Sequence, residues 1–174
     1  MSRISIPEYE RLNAEAKKEY DNQIKKYGRI TNMKKTLLHS LPSFRVLMEW
    51  YPLRDAVLKF VDELSFNVYA YAISYGNDCL ICSTFFRKIL RDSGQDPDNI
   101  KLDGDSVLLM EYAETCTAKP ARVGDELFKK MRARFSEEQI VLLTAFAGMM
   151  IATNLINNTL DVELDDYLTS YTKK

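Results

Sequence analysis

The sequence predicts an all-α domain. Three observations carry this: apolar residues return at three- and four-residue intervals along most of the chain, cap and turn residues punctuate those runs, and only one stretch of length reads as loop. At 174 residues, 46% of them apolar, the chain is the size of one ordinary domain, so the expected unit is a single domain over residues 1–174. A core of that size needs neither disulfides nor structural metal.

The elements follow in order. Residues 7–27 are charged and rich in helix formers, and Tyr9, Leu12, Ala16, Tyr20 and Ile24 fall on one stripe, which predicts a surface helix ending at Gly28. A shorter apolar pattern covers 33–41. Pro42 and Ser43 then open a segment with Phe44, Val46, Leu47 and Trp50 that Pro52 closes, and Pro52 starts another segment through Phe60. Residues 64–75 are apolar nearly all round and suit a helix buried on most faces; their aromatic content also admits a strand, and the helical context decides for helix. Gly76 and Asn77 make a turn, Asp78 is the expected N-cap, and Cys79, Cys82, Phe85, Phe86, Ile89 and Leu90 mark a periodic helix that stops before Gly94.

The loop-like stretch, 95–105, holds one Pro, one Gly and four Asp, and separates two helical blocks of one core. Helices are expected at 106–116 and 124–135 with a turn around Pro120 between them. A long helix begins at Ser136, whose spacing from Glu138 and Gln139 resembles a capping box. The tail, 161–174, is acidic and then basic, and is expected to pack loosely or to reach a neighbouring subunit. There is no internal repeat and no low-complexity tract.

Charge narrows the function classes. Lys plus Arg (24) balance Asp plus Glu (25), so no field of one sign exists to collect nucleic acid or an anionic membrane. The N-terminal residues carry charge and Pro7 where a secretory signal would be apolar, and a cytoplasmic location is expected. The most hydrophobic run, 140–156, is interrupted by Thr144, Gly148, Thr153 and Asn154 and falls short of the roughly 20 apolar residues of a bilayer span. It is expected to be a core or subunit-interface helix, the latter making a homo-oligomer.

Three cysteines in a chain without an export signal predict reduced thiols. Cys79 and Cys82 are three apart at a helix start, where both sulfurs share a face within disulfide reach and unpaired N–H groups favour a thiolate. The bland alternative is two small buried hydrophobes at a chance spacing. A zinc site would need two further ligands, and only Cys116 and the single histidine, His39, could supply them, so no metal is expected. Cys116, beside Leu109 and Ala113 on an apolar face, reads as core, and His39 as a structural histidine near a helix end.

The segment Ser74-Tyr75-Gly76-Asn77-Asp78-Cys79-Leu80-Ile81-Cys82-Ser83-Thr84-Phe85-Phe86 resembles the core motif of the carboxymuconolactone decarboxylase and alkylhydroperoxidase D family. Leu38-His39-Ser40-Leu41-Pro42 resembles that family's lead-in, and residues 126–143 resemble its second helical hairpin, so the family-like core covers about 27–158. The resemblance implies an alkylhydroperoxidase D-like helical bundle that assembles into oligomers and works without a bound cofactor. It also implies a peroxidatic Cys82 and a resolving Cys79. The proton relay of the peroxidase branch does not carry over, because Asn67 stands where that branch has Glu and Phe86 where it has His.

A thiol of ordinary pKa, near 8.5, is mostly protonated at neutral pH without a base or positive potential beside it. Glu63, one turn before Asn67 and on the same face, is the candidate replacement, with Asn67 holding a water; the alternative is a solvated Glu63. The helix start could instead activate Cys79 and reverse the nucleophile assignment. Phe66, Tyr69, Tyr71, Phe85 and Phe86 crowd the region and predict an apolar pocket, unless they are plain core.

The leading expectation is therefore a peroxidase-like, antioxidant thiol oxidoreductase that reduces a small-molecule peroxide or disulfide through a redox-active Cys79–Cys82 disulfide, reopened by an external dithiol. Two alternatives stay open. One is a non-catalytic scaffold that binds an apolar ligand or partner. The other is a decarboxylase-like lyase, in which Glu63, Asp78, Tyr75 or His39 would supply acid-base groups.

Overall fold

Local capping decides where most of the helices begin. The computed structural model describes residues 2–173, and among these the regular structure is nine α-helices and two 3-10 turns, with no strand. Helix α1 (Ala14–Tyr27) starts where the Asn13 side chain accepts the Ala16 N–H, and ends at Gly28 in the left-handed region at φ 72°. Thr31 caps α2 (Asn32–Leu37), Ser40 caps α3 (Leu41–Met48), and α4 (Trp50–Val57) follows directly. Asp62 caps α5 (Glu63–Gly76) through the Ser65 N–H. Beyond it lie α6 (Leu80–Asp92), α7 (Gly104–Thr117), α8 (Asp125–Arg134) and α9 (Glu137–Leu160), the last with the full reciprocal capping box of Ser136 and Gln139.

The hub is α5, which packs on α6, α7 and α9, while α4 lies along α9. Its side chains are buried on most faces: Phe66, Tyr69, Ala70 and Ile73 sit in one core with Leu109, Leu143 and Phe146. Each large side chain so buried contributes roughly 1.5–3 kcal/mol, and the Tyr69 hydroxyl is satisfied by the Leu143 carbonyl at 3.0 Å. A second apolar cluster (Ala16, Ile30, Leu37, Leu38, Phe44, Leu47) ties α1, α2 and α3 together. Helix α9 is long and apolar enough to cross a bilayer by composition, but here its Leu143, Phe146 and Met150 form a wall of the core.

Four sequence expectations change. Residues 7–12 do not extend α1: Asn13 caps it, leaving only a 3-10 turn at Tyr9–Arg11. Pro52 does not end a helix but lies in the first turn of α4, where its missing N–H costs no bond. Asp78 is not the N-cap of α6; it adopts a left-handed conformation, φ 53°, and Cys79 takes the cap. The tail does not pack loosely. Its 3-10 segment Asp166–Tyr171 lies on α6 with Leu168 buried, and the Tyr171 carbonyl accepts from Arg87 Nε.

Candidate active site

The turn between α5 and α6 builds the site. Gly76 lets α5 approach α7: a Cβ there would lie 2.5 Å from Thr117 Oγ1. The left-handed Asp78 then reverses the chain, so that Cys79 meets the open N-terminus of α6. Cys79 Sγ accepts the Cys82 N–H at 3.4 Å, the role an oxygen plays in most N-caps.

Three asparagines of α9 hold this turn. Asn158 Nδ2 donates to the Asn77 carbonyl at 2.8 Å, and Asn77 Nδ2 donates to Asn154 Oδ1 at 3.2 Å. Asn157 Nδ2 donates to Cys82 Sγ at 3.2 Å and reaches Cys79 Sγ at 3.8 Å. Sequence reasoning missed these partners. Their only signal was their presence in an otherwise apolar helix, where Asn is costly unless it has work to do.

Both thiols are free and buried, Cys79 at 1% and Cys82 at 7% exposure. Their side chains are hydrogen-bonded to each other, and this contact does most to pull the Cys79 thiol down, to about 7, against the opposing effect of burial; the Cys82 N–H and Asn157 assist. The same contact, with burial, pushes Cys82 well above an ordinary thiol. The two shifts are opposite in direction, so Cys79, at the helix N-terminus, is the readier of the pair to ionise and Cys82 the readier to keep its proton.

Only one of the two thiols faces space. Cys82 lines a cavity of about 640 Å³, which Cys79 does not line. Phe66, Phe85 and Phe86 contribute to its wall, as the aromatic content predicted, whereas Tyr69 is core and Tyr71 hydrogen-bonds to Arg87 on another face. Glu63, exposed, and Asn67, half-buried, line the same cavity. Phe86 is 2% exposed and brings no proton-transfer group to the thiols. Asp78 is exposed and lies outside the cavity lining.

The wall is mostly apolar, as expected, but it is not uniformly so. Arg29 from the 28–31 turn, Lys34 from α2, Arg54 from α4 and Lys88 from α6 also line it, basic residues that a pattern of apolar positions does not register. Cys116 lies half-buried beside Tyr69 and Tyr112, where burial pushes its thiol up. His39 Nε2 contacts the Ser5 carbonyl at 2.8 Å and is not part of the cavity. Among the described residues no group of three His, Cys, Asp or Glu is arranged to hold a metal ion.

No protein-family model matches the chain, and no curated protein matches its sequence. Solved structures do. An uncharacterized peroxidase-related protein from Ralstonia eutropha JMP134, described as an alkylhydroperoxidase AhpD core, superposes with a TM-score of 0.77 at 20% identity over 96% of this chain and 94% of that one. A peroxidase-related protein from Silicibacter sp. TM1040 gives 0.78 at 16% identity, over 96% and 93%. The debrominase Bmp8 gives 0.72 at 15% identity, over 91% and 90%, and a cysteine-to-alanine variant of it, in complex with 2,3,4-tribromopyrrole, gives 0.74 at 14% over 91% and 89%. The chain has the alkylhydroperoxidase D-like all-helical fold.

Proposed function

We propose that the protein is a thiol-dependent oxidoreductase whose working group is the Cys79–Cys82 pair. The observation that carries the reading is the placement of the pair: Cys82 lines the cavity, and Cys79 lies beside it as the cap of α6, where its thiol is pulled down to about 7. Cys79 thereby takes the place of the relay that Asn67 and Phe86 do not provide. As a hydroperoxide ROOH approaches, Cys82 passes its proton to the Cys79 thiolate and attacks the terminal oxygen. The O–O bond breaks, Cys82 becomes a sulfenic acid, and the departing alkoxide recovers the proton to leave as ROH.

Cys79, again a thiolate, attacks the sulfenic sulfur. The S–O bond breaks, the disulfide forms, and hydroxide leaves as water after taking one proton from solvent. An external dithiol reopens the disulfide by exchange and is itself oxidised. Self-association through α9, whose Val141 and Leu155 are exposed, belongs to the same proposal.

A second reading is reductive dehalogenation, favoured by aromatic walls that suit a flat ring beside a thiol. There an aryl bromide and two thiols give the arene, the disulfide, bromide and a proton. Both readings need the pair to close.

Intact mass with thiol alkylation tests this, on reduced protein before and after one equivalent of hydroperoxide. The expected result is a loss of two hydrogens, reversed by dithiol, and a sulfenic acid trapped on Cys82 in Cys79→Ser. Thiols that stay free under this treatment, and under an aryl bromide in parallel, would leave no dithiol chemistry to propose.

A further inference from the structure

Lys34 is a lysine where a lysine is expensive. Its residue is 7% exposed, no carboxylate pairs with it among the described residues, and its ammonium is held by neutral groups alone: Gln23 Oε1 at 2.6 Å and Tyr51 Oη at 2.6 Å, with the rings of Tyr27 and Tyr51 centred 4.5 and 4.9 Å away. An ammonium has three N–H donors, and two are used. Burial pulls its pKa down to about 8, so it is still mostly charged at neutral pH.

This cation lines the same cavity as Cys82, and Met33, the residue before it, packs against the cluster that holds both cysteines. The other basic residues there are already engaged. Arg54 pairs with Asp55, Lys88 pairs with Asp92, and Arg29 stacks over Tyr167. The cavity carboxylates do not neutralise Lys34 either: Glu63 is exposed, and the charges acting on Asp165 are those of Lys35, Asp166 and Arg29. The rest of the wall near Lys34 is flat and apolar, with Trp50, Phe66 and Met150.

We infer that the cavity selects thiol-reducible substrates with an aromatic or otherwise flat apolar body and one anionic head group, a carboxylate or phenolate, and that Lys34 and Tyr51 are the residues that bind that head. The inference rests on the oxidoreductase reading and names the substrate class that reading leaves open. An incoming anion supplies the missing counter-charge and takes the third N–H of Lys34, so binding removes a cost the free protein carries. The neutral aromatic hydroperoxide or disulfide fills the apolar wall but leaves the ammonium unpaired.

Two chromogenic aromatic disulfides separate these cases: 5,5′-dithiobis(2-nitrobenzoate), which carries carboxylates, and neutral 4,4′-dithiodipyridine. Either is attacked by Cys82, releasing one arylthiolate, and the mixed disulfide is then displaced by Cys79, releasing the second and closing the pair. Rates are measured for the full-length protein and divided by those of a free dithiol, which removes the intrinsic reactivity of each probe. The expected result is a preference for the anionic probe of about tenfold, the scale of one charge-assisted hydrogen bond.

Lys34→Met should bring the ratio of the two probes down to that of the free dithiol, and Lys34→Arg should retain most of the preference. Because Lys34 is buried, the preference should survive 0.3 M salt, at which exposed charges such as Arg29 are screened. A preference that is absent, lost in salt, or unchanged in Lys34→Met overturns the inference. Failure of the neutral probe to close the wild-type pair overturns the oxidoreductase reading instead, so the two failures are distinct.

Discussion

A buried, unpaired ammonium must leave a signature in stability as well as in binding. Lys34 titrates near 8 in the folded protein against 10.5 for an ordinary lysine, with burial the leading cause. The sign follows from linkage. A basic group whose folded pKa is lowered destabilises the native state wherever it must be charged, and that cost is relieved as pH rises from about 8 towards 10.5, where the unfolded chain still binds a proton that the folded chain has lost.

At 1.36 kcal/mol per pKa unit the relief between pH 7 and pH 10 would approach 2.5 kcal/mol, and residual solvent at the cavity mouth reduces this to about 1–2 kcal/mol. Lys34→Met removes the titration without removing the stem's packing, so the wild type should gain about 1–2 kcal/mol relative to the variant across that interval. The assay is urea unfolding of both proteins at pH 7, 8, 9 and 10, compared as a difference so that every other titrating group cancels. A difference that stays flat, or that moves in the variant's favour, would show that Lys34 is not a confined cation.

Other perturbations probe the site and its frame. Asn157→Leu removes the N–H donor shared by the two sulfurs, and alkylation of the pair at pH 7 should slow by roughly threefold, because about 1 kcal/mol of hydrogen bonding lost from a thiolate near 7 raises the pKa of that thiol by about 0.7. Arg87 is buried, forks onto Asp98 at 2.8 and 2.6 Å and donates to Tyr171; Arg87→Met should cost about 2 kcal/mol in chemical denaturation and free the C-terminal segment to limited proteolysis. Gly76→Ala sets a Cβ against Thr117 Oγ1 and should cost about 1–3 kcal/mol, whereas Gly76→Ala combined with Thr117→Ala, which removes that oxygen, should recover part of it.

What could be read from residues alone depended on whether the physics was local. The periodicity of 79–90 and the capping box at Ser136 are local, and α6 and α9 begin within a residue or two of where those signals put them. The dithiol was legible for the same reason: three-residue spacing at a helix start needs no knowledge of the rest of the chain. Asp78 shows the limit of such reasoning. Its side chain suits an N-cap, but Asp78 adopts the left-handed conformation in the turn and the cap falls to Cys79.

The rest of the site is tertiary. Lys34, followed by Lys35, reads as solvated surface, and only the packing of α1, α2 and α4 seals it among Gln23, Tyr27 and Tyr51. The asparagines of α9 read as interruptions of a hydrophobic run, since nothing in their spacing says that Cys79 and Cys82 lie about 75 residues back against them. Glu63 and Asn67, one turn apart on α5, both line the cavity, and Glu63 is exposed there.

If the two thiols activate each other, their ionisation must depend on the pair. The pH dependence of iodoacetamide alkylation from pH 5.5 to 10, followed by intact mass, reads this out for the wild type and for Cys79→Ser. A first ionisation near 7 is expected in the wild type and none below about 9 in the variant, so that thiolate at pH 7 falls from about half to about 1%. Wild type and variant titrating together near 9 would show that the thiols ionise independently.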